Sequence, residues 1–388
     1  MTDFTFASTP LLYAGIGKRN LLPTAVKLFG TRVLLVTGVH SFKNSSFYPE
    51  CMQLLQSHGF TIHTAAVNRE PSPVDVDNVV STFAATAIDC VVAIGGGSVL
   101  DAGKAIAAML PLQEPVHKYL EGVGQATHPG VKIPVVAIPT TAGTGTEATK
   151  NAVLTKVGAH GYKKSLRHNN FVPNVAIIDP ELTLSCPKEI TAASGMDAFT
   201  QLLESYLSTA ANSLTDAWAF DGLRRISHSL LTAYHNGDNL HARGDVAIAA
   251  YLSGVTLANA GLGVVHGFAS AVGGYYQIAH GVICSALMPA ANRITVQKLR
   301  ITNQSSAALK KYSVIGKLFT SDQSRSDDYY VDFLLETIAS YQHEMAIPSL
   351  KQCGVGASDF PRILAATDCK NNPIQLAGDE LEDILTQS

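Results

Sequence analysis

The sequence predicts an α/β domain with a doubly wound parallel sheet, followed by an all-helical domain. In the first half, short apolar β-branched segments alternate with segments of helical periodicity, as in parallel sheets covered by helices on both faces. After about Asp179 the strand pattern stops and only helical periodicity continues. Pro180 and Pro187 mark this change, so we place a domain boundary near residue 185. The predicted domains are therefore 1–185 and 186–388.

Each element is predicted from its own pattern. Continuous apolar runs rich in valine and isoleucine indicate five strands, at Arg32–Thr37, Thr61–Val67, Cys90–Ile94, Val135–Ile138 and Val175–Ile178. Helical spacing between them predicts helices over Glu50–His58, Val74–Ala87 and Asp101–Met109. The same spacing in the second half predicts helices over Thr191–Leu207, Leu214–His235, Arg243–Asn259, Ala307–Phe319, Asp327–Glu344 and Glu380–Leu385.

The composition excludes several classes of protein. With 46% hydrophobic and only 15% charged residues, the chain has the opposite balance to a disordered protein. A net charge of −3 predicts neither a nucleic-acid partner nor an anionic membrane partner. The six cysteines form no CxxC pair, and the MTDFTFASTP start lacks the features of a secretory signal. We therefore expect reduced thiols and a cytoplasmic protein.

The segment from Val246 to Asn292 contains no Asp, Glu, Lys or Arg. Its length raises the alternative of a membrane span, since about 20 apolar residues suffice to cross a bilayer. However, Gly and Ala dominate over Leu and Ile in it, and the polar residues Asn259, His266 and His280 interrupt it. The segment therefore predicts a buried helical core.

A glycine-rich loop follows one predicted strand and opens a helix. Gly95, Gly96, Gly97 and Ser98 lie between CVVAI and the following helical segment. Glycines allow close backbone approach, and the free N–H groups of a helix N-terminus attract a pyrophosphate. The loop matches neither GxGxxG nor a Walker motif, so a plain tight turn remains the alternative.

A second polar loop follows the next strand. Ala137–Thr149 interleaves five threonines with glycines, among them Thr140, Thr141, Thr144 and Thr149. Ligands of open α/β sheets bind at the carboxyl edge of the strands, where both loops are expected to lie. A solvated loop with threonine turns is the alternative, and the neighbouring glycine loop counts against it.

The end of the first strand bears on the choice of dinucleotide. An acidic residue there often binds the ribose hydroxyls and disfavours a 2′-phosphate. This chain has Gly38 at that point, followed by Ser41 and Lys43 as donors. The pattern slightly favours NADP over NAD, the alternative being an ordinary glycine turn.

Four residues of the helical half are candidate metal ligands. Asp197 and Gln201 are four residues apart and so share one face of a helix, while His266 and His280 lie in the charge-free segment. A carboxylate with imidazoles and one further donor suits Fe²⁺ or Zn²⁺. A single buried histidine is more often a hydrogen-bonded core residue, but two histidines with a carboxylate favour a cation site.

The motifs GGGSVLDAGKA, PTTAGTGTEAT, IIDPELTLSCP, SGMDAFTQ and VHG(x)13HG occur in order along the chain. This set, which runs through to NPIQLAGDELEDIL, resembles the iron-containing (group III) alcohol dehydrogenases. The resemblance implies a Rossmann-like domain and a helical domain in a dehydroquinate synthase-like two-domain architecture. It further implies an active-site cleft between the domains, a nicotinamide dinucleotide and one divalent metal.

The resemblance also assigns roles. It places the metal ligands at Asp197, Gln201, His266 and His280, although the family usually has a histidine at the position of Gln201. At the position where many members of the family carry a proton-handling histidine, this chain has Ser270. The resemblance therefore implies that Ser270, water or His280 would take that role. It implies pyrophosphate contacts at Gly96, Gly97 and Ser98, ribose and phosphate contacts at Thr140, Thr141, Thr144 and Thr149, and a ribose contact from Lys163. Asp101, one turn into the helix after the glycine loop, is expected to point towards the cleft.

These observations predict a metal-assisted NAD(P)-dependent oxidoreductase acting on a small alcohol or aldehyde, with Fe²⁺ or alternatively Zn²⁺. Three alternatives remain: a metal-independent oxo-acid reductase resembling maleylacetate reductases, a dehydroquinate synthase-like lyase, and a binding protein that has lost the metal. Lys150 could attract an acidic substrate or be a solvated surface lysine. A homodimer is expected, with Phe4–Phe6 as a hypothetical intersubunit strand.

Overall fold

The computed structural model describes residues 3–302 and 306–388. Its α/β part contains a six-stranded, fully parallel sheet in the order β1-β8-β5-β4-β2-β3. The strands are β1 (Leu11–Ala14), β2 (Arg32–Gly38), β3 (Thr61–Val67), β4 (Cys90–Gly95), β5 (Val135–Pro139) and β8 (Val175–Ile178). All five predicted strands are confirmed. Four of them lie inside the sheet, where parallel strands are buried on both faces and have apolar sequences; β3 is an edge strand.

Three strands were not predicted from the sequence. β1 has only four residues and lies at the edge of the sheet, so it is too short and too exposed to give a clear pattern. The other two, β6 (Asn151–Lys156) and β7 (Tyr162–Arg167), form a separate antiparallel hairpin. Its second strand, YKKSLR, is largely polar and therefore lacks the apolar run of a buried strand.

Helices cover the sheet in the first half of the chain. They are α1 (Leu22–Lys27), α2 (Phe47–Ser57), α3 (Pro73–Phe83) and α4 (Gly97–Met109). α4 is buried almost all round, because it packs against the sheet and also against β6. The strand order reverses between β2 and β4, and ligands of doubly wound sheets bind at such a point. The glycine loop follows β4 directly at this edge.

The second half is helical throughout the residues that the structure describes. Its helices are α5 (Lys188–Leu207), α6 (Ser213–His235), α7 (Leu240–Ala260), α8 (Val264–Tyr275), α9 (His280–Thr302), α10 (Ala307–Gly316), α11 (Asp327–Glu344), α12 (Phe360–Ala366) and α13 (Gly378–Thr386). The last strand ends at Ile178 and α5 begins at Lys188, so the predicted boundary at residue 185 falls between them. The predicted helical second half is confirmed, while the exact domain boundary stays a prediction.

The charge-free segment forms most of α7, all of α8 and the first half of α9. Most of its side chains are buried in the helical core, where α5, α6 and α9 surround them. Within 3–302 and 306–388, no single helix is long and apolar enough to cross a membrane. α7 and α8 pass that test only as a pair, and they are bent by 98° relative to each other.

The two halves meet where the threonine-rich loop contacts α7. Gly145 of this loop has φ +60°. A Cβ on Gly254 of α7 would overlap the carbonyl group of Gly145, so the two backbones touch. Apolar residues of β8 and α7, including Ile178, Tyr251 and Val255, pack together beside this contact. The loop after β5 is therefore fixed against the helical domain that carries the predicted metal ligands.

Candidate active site

A cavity of about 890 Å³ lies between the carboxyl edge of the sheet and the helical domain. Most predicted site residues line it: Gly96, Gly97, Ser98, Asp101, Thr141, Thr144, Thr149, Lys163, Asp197, Gln201, His266, Ser270 and His280. The cavity lining does not include Gly38, Ser41 or Thr140, which lie further along the same sheet edge. The glycine loop and the predicted metal ligands thus face one another across a single cavity.

The glycine loop is shaped for close approach of a ligand to backbone. Gly96 is the N-cap residue of α4, so the first N–H groups of this helix are free of helical partners. A Cβ on Gly97 would stand 2.5 Å from Thr144 Oγ1, so only glycine lets the two loops touch there. The free donors and the dipole of α4 make this the place where the cavity can hold a pyrophosphate.

A buried lysine ties the threonine-rich loop to α4. Lys104 Nζ donates to Thr149 Oγ1 at 2.7 Å and to the Thr146 carbonyl at 2.9 Å, and it lies 3.5 Å from Asp101 Oδ1. Burial lowers the pKa of Lys104 to about 8 and raises that of Asp101 to about 6, although each charge partly offsets the shift of the other. Asp101 thus braces this loop as well as lining the cavity.

Asp197, His266 and His280 converge at the helical wall of the cavity. Asp197 lies on α5, His266 on the first turn of α8, and His280 begins α9. His266 Nε2 lies 3.4 Å from Asp197 Oδ1, and His280 Nε2 lies 3.8 Å from the same atom. Asp197 is 1% exposed, while the side chain of His280 is 23% exposed and so faces the cavity.

The surroundings set the charges of these groups. Burial opposes ionisation of Asp197, but the two histidines outweigh it and hold its pKa at about 2. Burial lowers the pKa of His280 to about 4, so its imidazole is neutral at pH 7. Burial also opposes a charge on His266, yet neighbouring Cys284 and Glu204 raise its pKa well above the usual value. Asp197 and His280 are thus in the forms that bind a metal, whereas His266 would give up a proton on metal binding.

Glu204, which the sequence analysis missed, orients His266. It lies on the same face of α5 as Asp197, seven residues further on, and is buried. Glu204 Oε2 is 2.6 Å from His266 Nδ1, and Glu204 Oε1 accepts a hydrogen bond from the Val265 N–H at 2.7 Å. With Nδ1 engaged in this way, Nε2 is directed towards Asp197. A carboxylate behind a ligand histidine is the usual arrangement in metal sites.

Gln201 lies beside the cluster with its amide already engaged. Its Nε2 donates to Asp197 Oδ2 at 3.3 Å, and its Oε1 accepts from Ser253 Oγ at 3.0 Å. The structure thus brings Gln201 to the site, as the sequence analysis expects. Its role as a metal ligand stays a prediction.

Two further side chains of the site were missed. Cys284 Sγ lies 3.7 Å from Nε2 of both His266 and His280. Glu70, at the cavity wall, receives hydrogen bonds from Lys163 Nζ at 2.7 Å and Thr155 Oγ1 at 2.9 Å. Cys284 could have been found from its spacing of four residues after His280, which places both on one helical face. Glu70 gives no sequence signal, because only the tertiary fold brings it to Lys163.

Ser270 and Lys150, the remaining polar candidates, differ in position. Ser270 lines the cavity one turn after His266, and its hydroxyl donates to the His266 carbonyl at 2.9 Å. Its oxygen can still accept a hydrogen bond, but its own proton is engaged. Lys150 does not belong to the cavity lining. A role for Lys150 in attracting an acidic substrate therefore has no support from its position.

The donor set fits a divalent metal. Asp197 Oδ1 is buried and has no hydrogen-bond partner, which is costly unless a cation binds it. One donor atom each from Asp197, His266, His280 and Cys284 lies within 4.8 Å of all the others. The nitrogen, oxygen and sulfur donors are those that Zn²⁺ and related first-row cations accept. The site therefore combines a dinucleotide-binding edge with a metal-binding cluster, as a metal-assisted dehydrogenase requires.

Comparison with known proteins agrees with this class. Residues 10–180 match the family "Iron-containing alcohol dehydrogenase", and residues 191–388 match "Fe-containing alcohol dehydrogenase family, C-terminal". The chain belongs to the iron-containing alcohol dehydrogenase family, as its motifs predict. It is therefore an oxidoreductase that acts on CH–OH groups with a nicotinamide cofactor.

Individual relatives support the same assignment. Long-chain-alcohol dehydrogenase 1 of Geobacillus thermodenitrificans is 34% identical over 281 residues, which cover 72% of this chain and 70% of that protein. 1,3-Propanediol dehydrogenase of Citrobacter freundii is 33% identical over 340 residues, covering 86% of this chain and 84% of that protein. The crystal structure of a 1,3-propanediol oxidoreductase superposes with a TM-score of 0.89 at 28% identity and covers all of both chains.

Proposed function

We propose that this chain catalyses reversible hydride transfer between NADP(H) and a small, uncharged primary alcohol or aldehyde, aided by one divalent metal ion. The observation that carries the proposal is the convergence of Asp197, His266 and His280 opposite the glycine loop in one cavity. Relatives at 33 to 35% identity are named for methanol and 1,3-propanediol, both small primary alcohols. A metal bound by these residues supplies Lewis-acid polarisation of the carbonyl oxygen.

The residues of the chain hold the reactants. The free N–H groups of α4 and Ser98 would bind the pyrophosphate, and the threonine-rich loop would carry the nicotinamide half towards the helical domain. The cluster lies in the helical wall, where few charged side chains and a buried core exclude water. Alkoxide charge that develops there is stabilised more strongly than it would be in water. Ser270 Oγ is proposed to accept a hydrogen bond from the substrate hydroxyl, while its own proton stays on the His266 carbonyl.

An uncharged substrate is favoured by the pairing of the cations that line the cavity. Lys163 is paired with Glu70 at 2.7 Å, and Arg167 with Glu121 at 2.8 Å. Lys370 Nζ donates to the His266 carbonyl at 3.0 Å. Two of these cations already have a carboxylate partner and Lys370 is held by a carbonyl oxygen, which reduces their capacity to select a carboxylate or phosphate. This counts against an oxo acid and against the polyhydroxy acid phosphate of a dehydroquinate synthase-like reaction.

The preference for NADP rests on the end of β2. Gly38 carries no carboxylate that would repel a 2′-phosphate. Ser41 lies beside it: a Cβ placed on Gly38 would stand 3.5 Å from Ser41 Oγ. Ser41 and Lys43 are the proposed partners of the 2′-phosphate. The alternative is an NAD enzyme, which the relative named as an NAD-dependent methanol dehydrogenase exemplifies.

We also propose a homodimer and a cytoplasmic location. β1 is an edge strand of the sheet, and the preceding segment exposes 45% of Phe4, so a second copy could continue the sheet there. All six cysteines are free thiols, which suits a reducing compartment. Light scattering of the purified protein tests the first proposal, and cell fractionation tests the second.

The activity is tested with a panel of small alcohols and aldehydes. Purified protein, dialysed against chelator and then supplied with Fe²⁺ or Zn²⁺, is assayed with NADPH and NADH by the absorbance of the reduced nicotinamide. We expect stoichiometric oxidation of NADPH with an aldehyde, higher kcat/KM for NADPH than for NADH, and loss of turnover after chelation. Turnover that survives complete metal removal would instead support the metal-independent reductase.

A further inference from the structure

Cys284 occupies a position in the metal cluster that packing alone does not explain. It lies one helical turn after His280 on α9 and is completely buried. Its Sγ lies 3.7 Å from Nε2 of His266 and 3.7 Å from Nε2 of His280. A cysteine that served only as a small apolar core residue would not need to place its sulfur between two imidazole nitrogens.

The distances between the donor atoms suit a tetrahedral ion. With metal–nitrogen and metal–oxygen bonds of about 2.0–2.1 Å, two such donors stand about 3.3–3.4 Å apart, and a sulfur and a nitrogen about 3.5–3.6 Å apart. The observed separations are 3.4 Å and 3.8 Å from Asp197 Oδ1 to the histidines, and 3.7 Å from the sulfur to each histidine. These four separations are within a few tenths of an ångström of the tetrahedral values, and the remaining two pairs of donors lie within 4.8 Å.

In this arrangement Gln201, which the family resemblance places among the metal ligands, is not a ligand. Its amide nitrogen donates to Asp197 Oδ2, and its amide oxygen accepts from Ser253 Oγ. The amide nitrogen is therefore engaged with Oδ2 of Asp197 and not with Oδ1, which faces the histidines. That oxygen, Oδ1, is buried without a hydrogen-bond partner and faces the histidines. Its neighbours include the two imidazole nitrogens at 3.4 and 3.8 Å, and a cation bound among the three groups would satisfy it.

We propose that the metal ligands of this chain are Asp197, His266, His280 and Cys284, that Gln201 orients Asp197 from behind, and that the thiolate favours Zn²⁺ over Fe²⁺. The inference rests on the proposed function for the presence of a metal. Among first-row cations that accept carboxylate and imidazole, thiolate ligation selects the softer ones. On binding, the Cys284 thiol gives its proton to solvent, with no change in oxidation state.

The arrangement leaves room for a substrate. His280 is the most exposed of the four proposed ligands; Asp197 and His266 also line the cavity but are nearly buried, and Cys284 is completely buried. Zn²⁺ can expand from four to five ligands during catalysis, so a carbonyl oxygen could bind on the cavity side. The loss of the family histidine at position 201 is then offset by a ligand from a different helix.

Cobalt spectroscopy tests this ligand set directly. Thiolate ligation gives Co²⁺ an intense near-ultraviolet charge-transfer absorption that imidazole and carboxylate ligands do not produce. We expect this absorption when one equivalent of Co²⁺ is added to the metal-free wild-type protein. The proposal is overturned if Co²⁺ binds stoichiometrically without this absorption, or if no Co²⁺ binds.

Variants then assign the sulfur. Cys284→Ser should lose the charge-transfer absorption and bind Zn²⁺ at least about 10-fold more weakly, since even outer-shell changes cost that much. Cys369→Ser, a matched change at another buried cysteine of the helical domain, should retain the absorption, as should Gln201→Ala. Circular dichroism verifies the fold of each variant. The assignment would be refuted if Cys284→Ser retained the charge-transfer absorption, or if Cys369→Ser or Gln201→Ala lost it.

The same samples separate this inference from the proposed function. Metal-dependent aldehyde reduction by a protein that shows no thiolate absorption would keep the dehydrogenase assignment and remove Cys284 from the ligand set. If the protein shows the thiolate absorption but oxidises no NADPH with any aldehyde, the proposed ligand set is supported and the proposed function is refuted. Because the wild-type spectrum needs no substitution, misfolding of Cys284→Ser would still leave a decisive measurement.

Discussion

The buried carboxylate of Glu204 is expected to control which nitrogen of His266 is free to bind a metal. Both of its oxygens accept hydrogen bonds, one from the Val265 N–H at 2.7 Å and the other from His266 Nδ1 at 2.6 Å. In Glu204→Gln the side chain keeps its shape but can offer only one acceptor oxygen. If that oxygen serves Val265, the amide N–H₂ group faces Nδ1 and favours the tautomer with its proton on Nε2.

The size of the effect follows from this change of tautomer. Loss of an outer-shell partner typically weakens metal binding 10- to 100-fold, or about 1.4 to 2.7 kcal/mol, and we expect a fall in kcat/KM of the same size. Loss of a charge-assisted hydrogen bond should also lower the free energy of unfolding by about 1.5–3 kcal/mol. Chelator competition, steady-state kinetics and urea denaturation measure the three quantities.

A matched control is available on the surface of the helical domain. Glu344 accepts a hydrogen bond from His235 Nε2 at 2.6 Å, the same distance as in the buried pair, but both residues are exposed. Glu344→Gln should leave metal affinity unchanged and cost little stability, because exposed pairs contribute about 0–1 kcal/mol. Equal metal affinity in wild type and Glu204→Gln would refute the orienting role.

Three further predictions concern the ligands and the cofactor. His280→Ala should abolish turnover while circular dichroism remains unchanged, because it removes the donor that faces the cavity; retained turnover would contradict the metal site. Gly38→Asp should shift the NADPH-to-NADH ratio of kcat/KM towards NADH by at least about 10-fold through charge repulsion. Gly97→Ala should raise KM for the dinucleotide and destabilise by about 1–3 kcal/mol, because its Cβ meets Thr144. Thr144→Ala in the same chain should recover part of that stability; no recovery would mean that the contact is not the cause.

The fold could be predicted where burial leaves a simple pattern. The central parallel strands are apolar along their whole length, and six helices of the second half show helical periodicity, so these elements are predicted from the sequence; the short helix α12 is not. β1 and the β6–β7 hairpin were not, because short or polar strands are defined by their partners in space. Leu11–Ala14, for example, becomes a strand by pairing with Val175–Ile178, a segment far away in the sequence.

The candidate site was predictable in part for the same reason. His266 and His280 stand out as two histidines within the charge-free segment, and Asp197 as the carboxylate of the motif SGMDAFTQ; the structure brings the three together. Glu204 gives no signal before the helices pack, and Cys284 gives only its spacing of four residues after His280. Only then does a carboxylate of α5 meet a histidine of α8, and a sulfur of α9 meet both histidines.

The central claim is that a metal in this cluster supports hydride transfer from a nicotinamide cofactor to a small aldehyde. The most direct measurement follows NADPH absorbance in one metal-free preparation as metal ion is added back in the presence of excess aldehyde. The account predicts no turnover at the start and a linear rise in rate that ends at one equivalent of metal per chain. A rate that is already maximal without metal, or that stays at zero throughout, would contradict it.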